Sequence, residues 1–463
     1  MSDLHVVILA AGKGTRMKSM RPKVFHRVAG RPMIDYALRA AASLHPTTTT
    51  IVAGHMKEAL KQGLEAYPGL SFAIQEPQLG TGHALLQTAS LLESKTGVVL
   101  LLSGDVPLLR RNTLARLLAR HEETGAAATV LTAIIEQPYG YGRIVRVRNR
   151  ISRIVEERDG SPTQRKIKEI NSGVFAFSLG PLFDGLRKLA TSNAQGEYYL
   201  TDLVAIFRRQ KLDVEAVVLD DPNEIRGINS RSELAEASRI VRQKKNEELM
   251  AAGVTIEDPA TTYVDDDVVV GSDTVIHPGV HLEGRTQIGS ACEIHAGVRI
   301  VNSVLADHVT VRNFCVINGA RMAPGVTVGP FAHIRPETAL GENVHIGNFV
   351  ELKKSVLGAG TKAGHLSYLG DATIGDKVNI GAGTITCNYD GETKQQTIIE
   401  DGAFIGSDSQ LIAPVTVGRG AYVGSGTTIR ENVPPGSLAV SGGKQRNIEG
   451  WKEQRAQKQK SKP

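Results

Sequence analysis

A chain of 463 residues exceeds what one hydrophobic core usually organises, so two or more domains are expected. Most of its net charge of +6 sits at the end, where 444–463 hold seven Lys or Arg against Glu449 and Glu453. The body is nearly neutral and the tail lacks the interleaved aromatics of a nucleic-acid surface, which excludes nucleic acid as a partner. No apolar run approaches the roughly 18 residues that cross a bilayer, and no signal segment precedes the first strand, so no membrane insertion and a cytoplasmic location are expected.

In chain order, Val6-Val7-Ile8-Leu9 reads as a buried strand running into Ala10-Ala11-Gly12-Lys13-Gly14-Thr15-Arg16. Gly12 and Gly14 let backbone N–H groups approach an anion and Arg16 adds charge, the makings of a phosphate cradle. It is neither a Walker A loop nor a dinucleotide fingerprint, since Met17 stands where the latter needs glycine. A helix is predicted over 33–44 from the spacing of Ile34, Leu38 and Ala41, and strands over 50–53, 71–74, 98–102, 128–133, 173–177 and 214–218. Strands alternating with helices predict an α/β domain, Rossmann-like with a mostly parallel sheet, whose ligands bind at the carboxyl ends of the strands. Asp105 stands at such an end, after Val98-Val99-Leu100-Leu101-Leu102-Ser103-Gly104, and reads equally as a ligand for Mg²⁺ or as the start of an Asx turn.

Ser230 and Glu233 form a capping-box pair that opens a connecting helix over 230–252, and Gly253 stops it. Beyond it, Val264, Val270, Ile276, Leu282, Ile288, Ile294 and Ile300 stand six apart, and the register returns at Val328–352 and 405–429. A period of six marks a parallel β-helix of hexapeptide repeats, three short strands to a turn. The register breaks at Cys387-Asn388-Tyr389-Asp390-Gly391, which predicts a projecting loop. The spacing of His333, His345 and His365 follows no single face, which argues against zinc there. Cys292, Cys315 and Cys387 also lack ligand spacing and read as reduced thiols.

The segments Leu9-Ala10-Ala11-Gly12-Lys13-Gly14-Thr15-Arg16-Met17, Gly80-Thr81-Gly82-His83, Gly104-Asp105-Val106-Pro107, Gly140-Tyr141-Gly142-Arg143, Asn193-Ala194-Gln195-Gly196-Glu197, Gly364-His365 and Asn379-Ile380-Gly381-Ala382-Gly383 stand in an order that closely resembles a known family. It is that of the bacterial N-acetylglucosamine-1-phosphate uridyltransferases that are also glucosamine-1-phosphate acetyltransferases. The resemblance implies a uridyltransferase domain at 1–229, a linker at 230–252, a left-handed parallel β-helix acetyltransferase domain at 253–440 and a basic tail at 441–463. It implies acetylation of glucosamine-1-phosphate by acetyl-CoA, then transfer of UMP from UTP to the product, supplying peptidoglycan and lipopolysaccharide precursors. UTP is expected against Leu9, Ala10, Ala11 and Gly12, with Lys23 near the phosphates and Gln75, Gly80 and Thr81 near the uracil. Ser103, Gly104, Gly140, Glu156 and Asn171 would meet the rest of the nucleotide sugar, and Asp105 and Asn229 would hold one or two Mg²⁺.

In the β-helix the same resemblance implies His365 as the base, a residue type that titrates near ~6.5 and so suits proton transfer at neutral pH. Arg335, Lys353, Tyr368 and Asn379 would bind the acceptor sugar phosphate. Ala382, Asn388, Tyr389, Ser407 and Ser425 would line acetyl-CoA. Ser425 stands where the family often has a smaller residue, and Lys444 or Arg446 would replace a family arginine at the CoA phosphates. A homotrimer is implied, with the acetyl site at a subunit boundary. Two readings compete with it: a nucleotidyltransferase whose β-helix serves only for assembly or regulation, and a non-catalytic protein in which the β-helix is a binding scaffold and the first domain a degenerate nucleotide sensor.

Overall fold

The structure is a computed structural model that describes residues 3–12, 14–442, 445 and 447–453. It divides into two compact units, Met1–Arg242 and Gln243–Pro463. Lys444 and Arg446 lie outside the described residues.

The first unit opens with β1 (Leu4–Leu9), a two-residue hairpin of β2 (Arg27–Val28) and β3 (Arg31–Pro32), and helix α1 (Met33–Ala42). Next come β4 (Thr48–Ala53), α2 (Lys57–Gly63), β5 (Leu70–Ile74), α3 (Thr81–Leu86), α4 (Ala89–Leu92), β6 (Val98–Ser103), α5 (Arg111–Thr124) and β7 (Ala128–Ile134). They are followed by β8 (Arg143–Val147), β9 (Arg150–Val155), α6 (Pro162–Arg165), β10 (Glu169–Ser178), α7 (Leu179–Leu186), α8 (Asp202–Arg209), β11 (Val214–Val218) and the first part of α9 (Arg231–Ala251), a helix whose residues from Gln243 on belong to the second unit.

The sheet order is β11-β7-β10-β6-β1-β4-β5. Val98 to Leu102 of β6 are buried on both faces, which is why that strand reads as one apolar run. Side chains of β1 alternate between two cores: Val7 joins Val52, Leu101 and Phe175, whereas Val6 and Ile8 join Ile51, Leu100 and Leu102. The parallel expectation holds for β1 with β4 and β6, and for β7 with β11, but β10 runs antiparallel to both β6 and β7. The cause lies in what precedes it. β8 and β9 form an antiparallel hairpin, and β10 comes back beside β8, pairing with it antiparallel at Ile170 and Arg143.

In the second unit three sheets of eleven, ten and nine strands run up the solenoid among the described residues, every pairing between consecutive turns parallel. Most strands are two residues long, the first pointing out and the second buried, which makes the period-six residues one continuous interior. The interior also runs unbroken through 301–327, where the six-residue register lapses. Leu305, Val311, Ile317 and Met322 fill it, because the steps from Ile300 to Leu305 and from Ile317 to Met322 are five residues. One corner has simply shed a residue. At the predicted loop the opposite happens: Ala372 pairs with Thr397, and the extra chain leaves the solenoid between Cys387 and Thr397.

Gly347 lies where one turn passes tightly over the next, and a methyl group there would press on the Gly364 carbonyl oxygen. Overpacking of this kind costs about 1–3 kcal/mol. Gly347→Ala is therefore expected to lower the urea midpoint of the second unit with little change in slope, as fluorescence or circular dichroism would record.

Candidate functional site

In the first unit β1 and β6 run parallel in register, Leu9 beside Ser103, so the loops that follow both open at the same end of the sheet. A cleft of about 430 Å³ lies there. Ten of the expected residues line it: Leu9, Ala10, Ala11 and Gly12 from the glycine loop, Lys23, Gln75, Gly80 and Thr81, and Ser103 with Asp105 from the end of β6. Gly104 stands just behind, its α-carbon facing Val24 and the Leu9 carbonyl.

The floor of the cleft is an ionic cluster. The Lys23 ammonium donates to Asp105 Oδ2 and, at 2.7 Å, to Asn229 Oδ1, while Ser103 Oγ donates to Asp105 Oδ1 at 2.6 Å. Sequence-distant Asn229 arrives by two devices. Ile228 N donates to the Asp105 carbonyl at 3.0 Å, and the α9 capping box locks the neighbouring backbone, Glu233 Oε2 accepting from Asn229 N at 2.5 Å and Ser230 N at 2.9 Å. Lys23 is held equally closely. Gly14 has φ +61, and a Cβ there would come within 2.8 Å of Lys23 Cβ, so this turn takes only glycine without moving the lysine. Two carboxyl or amide oxygens thus converge on one cation, the hard-oxygen donor set that suits Mg²⁺.

Gly140, Glu156 and Asn171 do not line this cleft; they gather beside the β8–β9 hairpin. Gly140 N donates to Glu157 Oε2 at 3.2 Å, Asn171 N to the Gly142 carbonyl at 2.9 Å, and Glu156 Oε1 accepts from Thr201 Oγ1 at 2.8 Å. Asn171 sits at the register shift of β10 and turns its Oδ1 to Gly173 N. The 197–201 segment runs from one group to the other: Glu197 lines the cleft, Gly82 N bonds the Tyr198 carbonyl, and Thr201 bonds Glu156.

Burial raises the Glu156 carboxyl above its ordinary range, against a smaller lowering by the Thr201 hydroxyl. Its ionisation therefore opposes folding. The contribution is present below the unfolded pKa of about 4.3 and is lost as pH rises through the higher folded value. Glu156→Gln is expected to flatten that loss, so its melting temperature gains on wild type as pH rises from about 4 towards neutrality.

In the second unit four residues expected at the acetyl site fall into one column. Asn348 pairs with His365 in register, and the pairs Ala363–Ile380, Ile380–Ile405 and Ile405–Val423 carry the same place, two residues on, to Ala382, Ser407 and Ser425. The column is exposed at His365, Ser407 and Ser425. His365 Nδ1 lies 2.6 Å from Asn348 Oδ1. An amide oxygen only accepts, so Nδ1 carries the proton and Nε2 keeps its lone pair.

Around the corner from His365, Arg335 and Lys353 occupy the same place in successive turns, and Lys353 pairs in register with Gly370. Arg335 Nη1 bonds Glu351 Oε1 at 2.7 Å, and buried Asn388 donates to Asp371 Oδ2 at 2.5 Å. Tyr368 OH and Asn388 Nδ2 both crowd the face of Gly370. Tyr389 points outward on the projecting loop, bonding the Gly391 carbonyl, while Asn379 lies in the sheet of His365, paired with Lys362. Lys444 lies outside the described residues.

Besides Glu197 and Asn348, three further residues absent from the expected set stand at these sites. His55 and Gln78 line the first cleft, Gln78 donating to the Ala11 carbonyl; both follow the ends of strands β4 and β5, where carboxyl-end loops bring ligand contacts. The third is Lys394, which bridges to Tyr389 and whose pKa is pushed down by the Lys353 ammonium beside it. Two adjacent cations at an exposed corner suit an anion such as a phosphate.

The MobA-like NTP transferase domain family matches residues 6–169, and the bacterial transferase hexapeptide family (six repeats) matches 267–302 and 396–431. A bifunctional protein GlmU of Trichlorobacter lovleyi is 52% identical over 452 residues, covering 97% of this chain and 98% of that protein. Those of Pelobacter propionicus, 49% identical over 98% of both chains, and Geobacter metallireducens, 48% identical over 98% of this chain and 99% of the other, are similar along the same length.

Proposed function

The chain belongs to the family of bifunctional GlmU proteins, and from that premise we propose which of its residues carry each of two transfers. It is a two-activity transferase of UDP-N-acetylglucosamine biosynthesis, an acetyltransferase and a uridylyltransferase. The observation that carries the assignment is that ten residues of the first motif set line one cleft in the first unit, while His365, Ala382, Ser407 and Ser425 of the second share one column in the other.

In the uridylyl transfer an acceptor phosphate oxygen attacks the α-phosphorus of UTP, a new P–O bond forms, and the bond to pyrophosphate breaks. Such chemistry needs positioning and charge neutralisation more than a protein nucleophile. The glycine loop would seat the phosphates against bare backbone, the Lys23 ammonium would donate to them, and Ser103 would hold Asp105 in place. Asp105 and Asn229 would hold Mg²⁺, which when bound supplies neutralising charge to the triphosphate. Gln75, Gly80 and Thr81 would meet the base; Gly140, Glu156 and Asn171 would meet the sugar.

In the acetyl transfer His365 Nε2 would take a proton from the amino group of glucosamine-1-phosphate, whose nitrogen attacks the thioester carbonyl and expels the CoA thiolate. Arg335, Lys353 and Lys394 would bind the sugar phosphate, Tyr368 and Asn379 the sugar. Ala382, Ser407 and Ser425 would follow the CoA chain along the column, with Asn388 and Tyr389 at its side. We place the enzyme in the cytoplasm, where both donors occur, as a homotrimer. Light scattering should give three times the chain mass of 49.6 kDa.

Purified chain should release pyrophosphate from UTP with N-acetylglucosamine-1-phosphate and Mg²⁺, and CoA thiol from acetyl-CoA with glucosamine-1-phosphate. Turnover of a different nucleoside triphosphate in preference to UTP, or no thiol release, overturns the corresponding half.

A further inference from the structure

Away from both clusters, the first turns of the β-helix bring together His277, Glu293 and His295. Glu257, His277 and His295 each follow the buried end of a strand, one turn after another, as the pairs Ile256–Ile276 and Ile276–Ile294 fix. The two imidazoles lie face to face, ring centroids 4.7 Å apart and planes 6° from parallel. Glu293 Oε1 lies 3.5 Å from His277 Nε2 and 3.4 Å from His295 Nε2. The three donor atoms all lie within 4.8 Å of one another.

Two features distinguish this from a chance meeting of surface side chains. Glu257 Oε2 lies 3.0 Å from His277 Nδ1, so that nitrogen carries the proton and Nε2 presents its lone pair to the cluster. That arrangement, a carboxylate behind the imidazole, is how metal-ligating histidines are oriented. Moreover His277 Nε2 is shielded from water and has no hydrogen-bond partner. The contacts to Glu293 are too long for good hydrogen bonds, yet two ligand atoms each about 2.0–2.2 Å from a tetrahedrally held ion lie roughly 3.3–3.6 Å apart. In the next turn the same place holds Arg312, one residue beyond the paired Ile294 and Val311, and a guanidinium has no lone pair to offer.

The geometry points to a site for a divalent transition-metal ion of the zinc class, held by His277 Nε2, Glu293 Oε1 and His295 Nε2 once the stacked rings turn their edges towards it, with solvent at the fourth position. Two imidazoles and a carboxylate suit zinc or cobalt over magnesium, which prefers oxygen alone. The ion would tie one turn of the β-helix to the next, because His277 belongs to one and Glu293 with His295 to the following one.

The test uses the full-length protein, stripped with a chelator and kept in excess Mg²⁺ to occupy oxygen-ligand sites. Zn²⁺ is titrated against a chromophoric competitor, and Co²⁺ serves as a visible probe of coordination. Wild type should bind one Zn²⁺ per chain, melt higher with the metal, and give the intense visible absorption of tetrahedral Co²⁺. The His277→Ala, His295→Ala double variant should lose that equivalent, the cobalt band and the thermal gain while keeping both transferase activities. Glu293→Gln should weaken binding, and Glu257→Gln should weaken it by about 10–100-fold as an orienting partner does. Wild type that binds no stoichiometric Zn²⁺, or a double variant that binds it as tightly as wild type, overturns the assignment.

Discussion

Asp105→Asn is expected to lower pyrophosphate release from UTP by about 10²–10³-fold or more, the scale of one lost electrostatic contact in a transferase site, while CoA release continues at the wild-type rate. The substitution keeps the shape and removes the charge. Asp105 accepts from both the Lys23 ammonium and Ser103 Oγ, and its backbone carbonyl holds Ile228 beside Asn229. An amide leaves the backbone contact intact, so Asn229 stays in place and the fold is unchanged. It leaves Lys23 with one neutral acceptor in place of a carboxylate, and it deprives the cleft of its anionic oxygen donor. Lys23→Ala should act on the same cluster from the other side, so the double variant should lose far less than the product of the two single effects. Equal losses of both activities in Asp105→Asn, or wild-type uridylyl transfer, would refute this assignment.

The first cleft was legible because its chemistry sits where strands end. Leu9 and Ser103 close buried apolar runs, and the glycine turn between a strand and Lys23 is a local pattern. The β8–β9 hairpin was not legible: its strands carry Arg143, Arg146, Arg150 and Arg153, and a register shift after Val145 breaks the alternation that would have marked it. Buried Arg143 makes sense only beside Glu157, 2.6 Å away, a partner that spacing does not reveal. The solenoid was readable wherever its corners kept six residues and unreadable where they shed one, which is also where the hexapeptide family ceases to match, after 302. His333, His345 and His365 share no common face of the repeat and so offer no zinc site by spacing. His277 and His295, by contrast, stand eighteen residues apart, one full turn of three hexapeptides, and are therefore stacked.

His365→Ala is expected to lower acetyl transfer by about 10²–10⁴-fold, the usual contribution of a positioned general base, and to leave uridylyl transfer unchanged. The reason is the state of the acceptor: an amino sugar arrives largely as an ammonium, and its nitrogen has no lone pair to attack a thioester until a proton leaves. Nδ1 of His365 is engaged by the Asn348 amide oxygen, so the free lone pair is on Nε2. Asn348→Ala should therefore slow the same step by less, because it frees the ring to turn and change tautomer without removing the base. Exposure of the column makes a further readout available: imidazole added to the His365→Ala enzyme can enter the space left by the ring and should restore part of the thiol release. A surface histidine with no part in proton transfer would give wild-type rates in the alanine variant and no response to imidazole, and either result would remove His365 from the acetyl transfer while leaving the Asp105 cluster untouched.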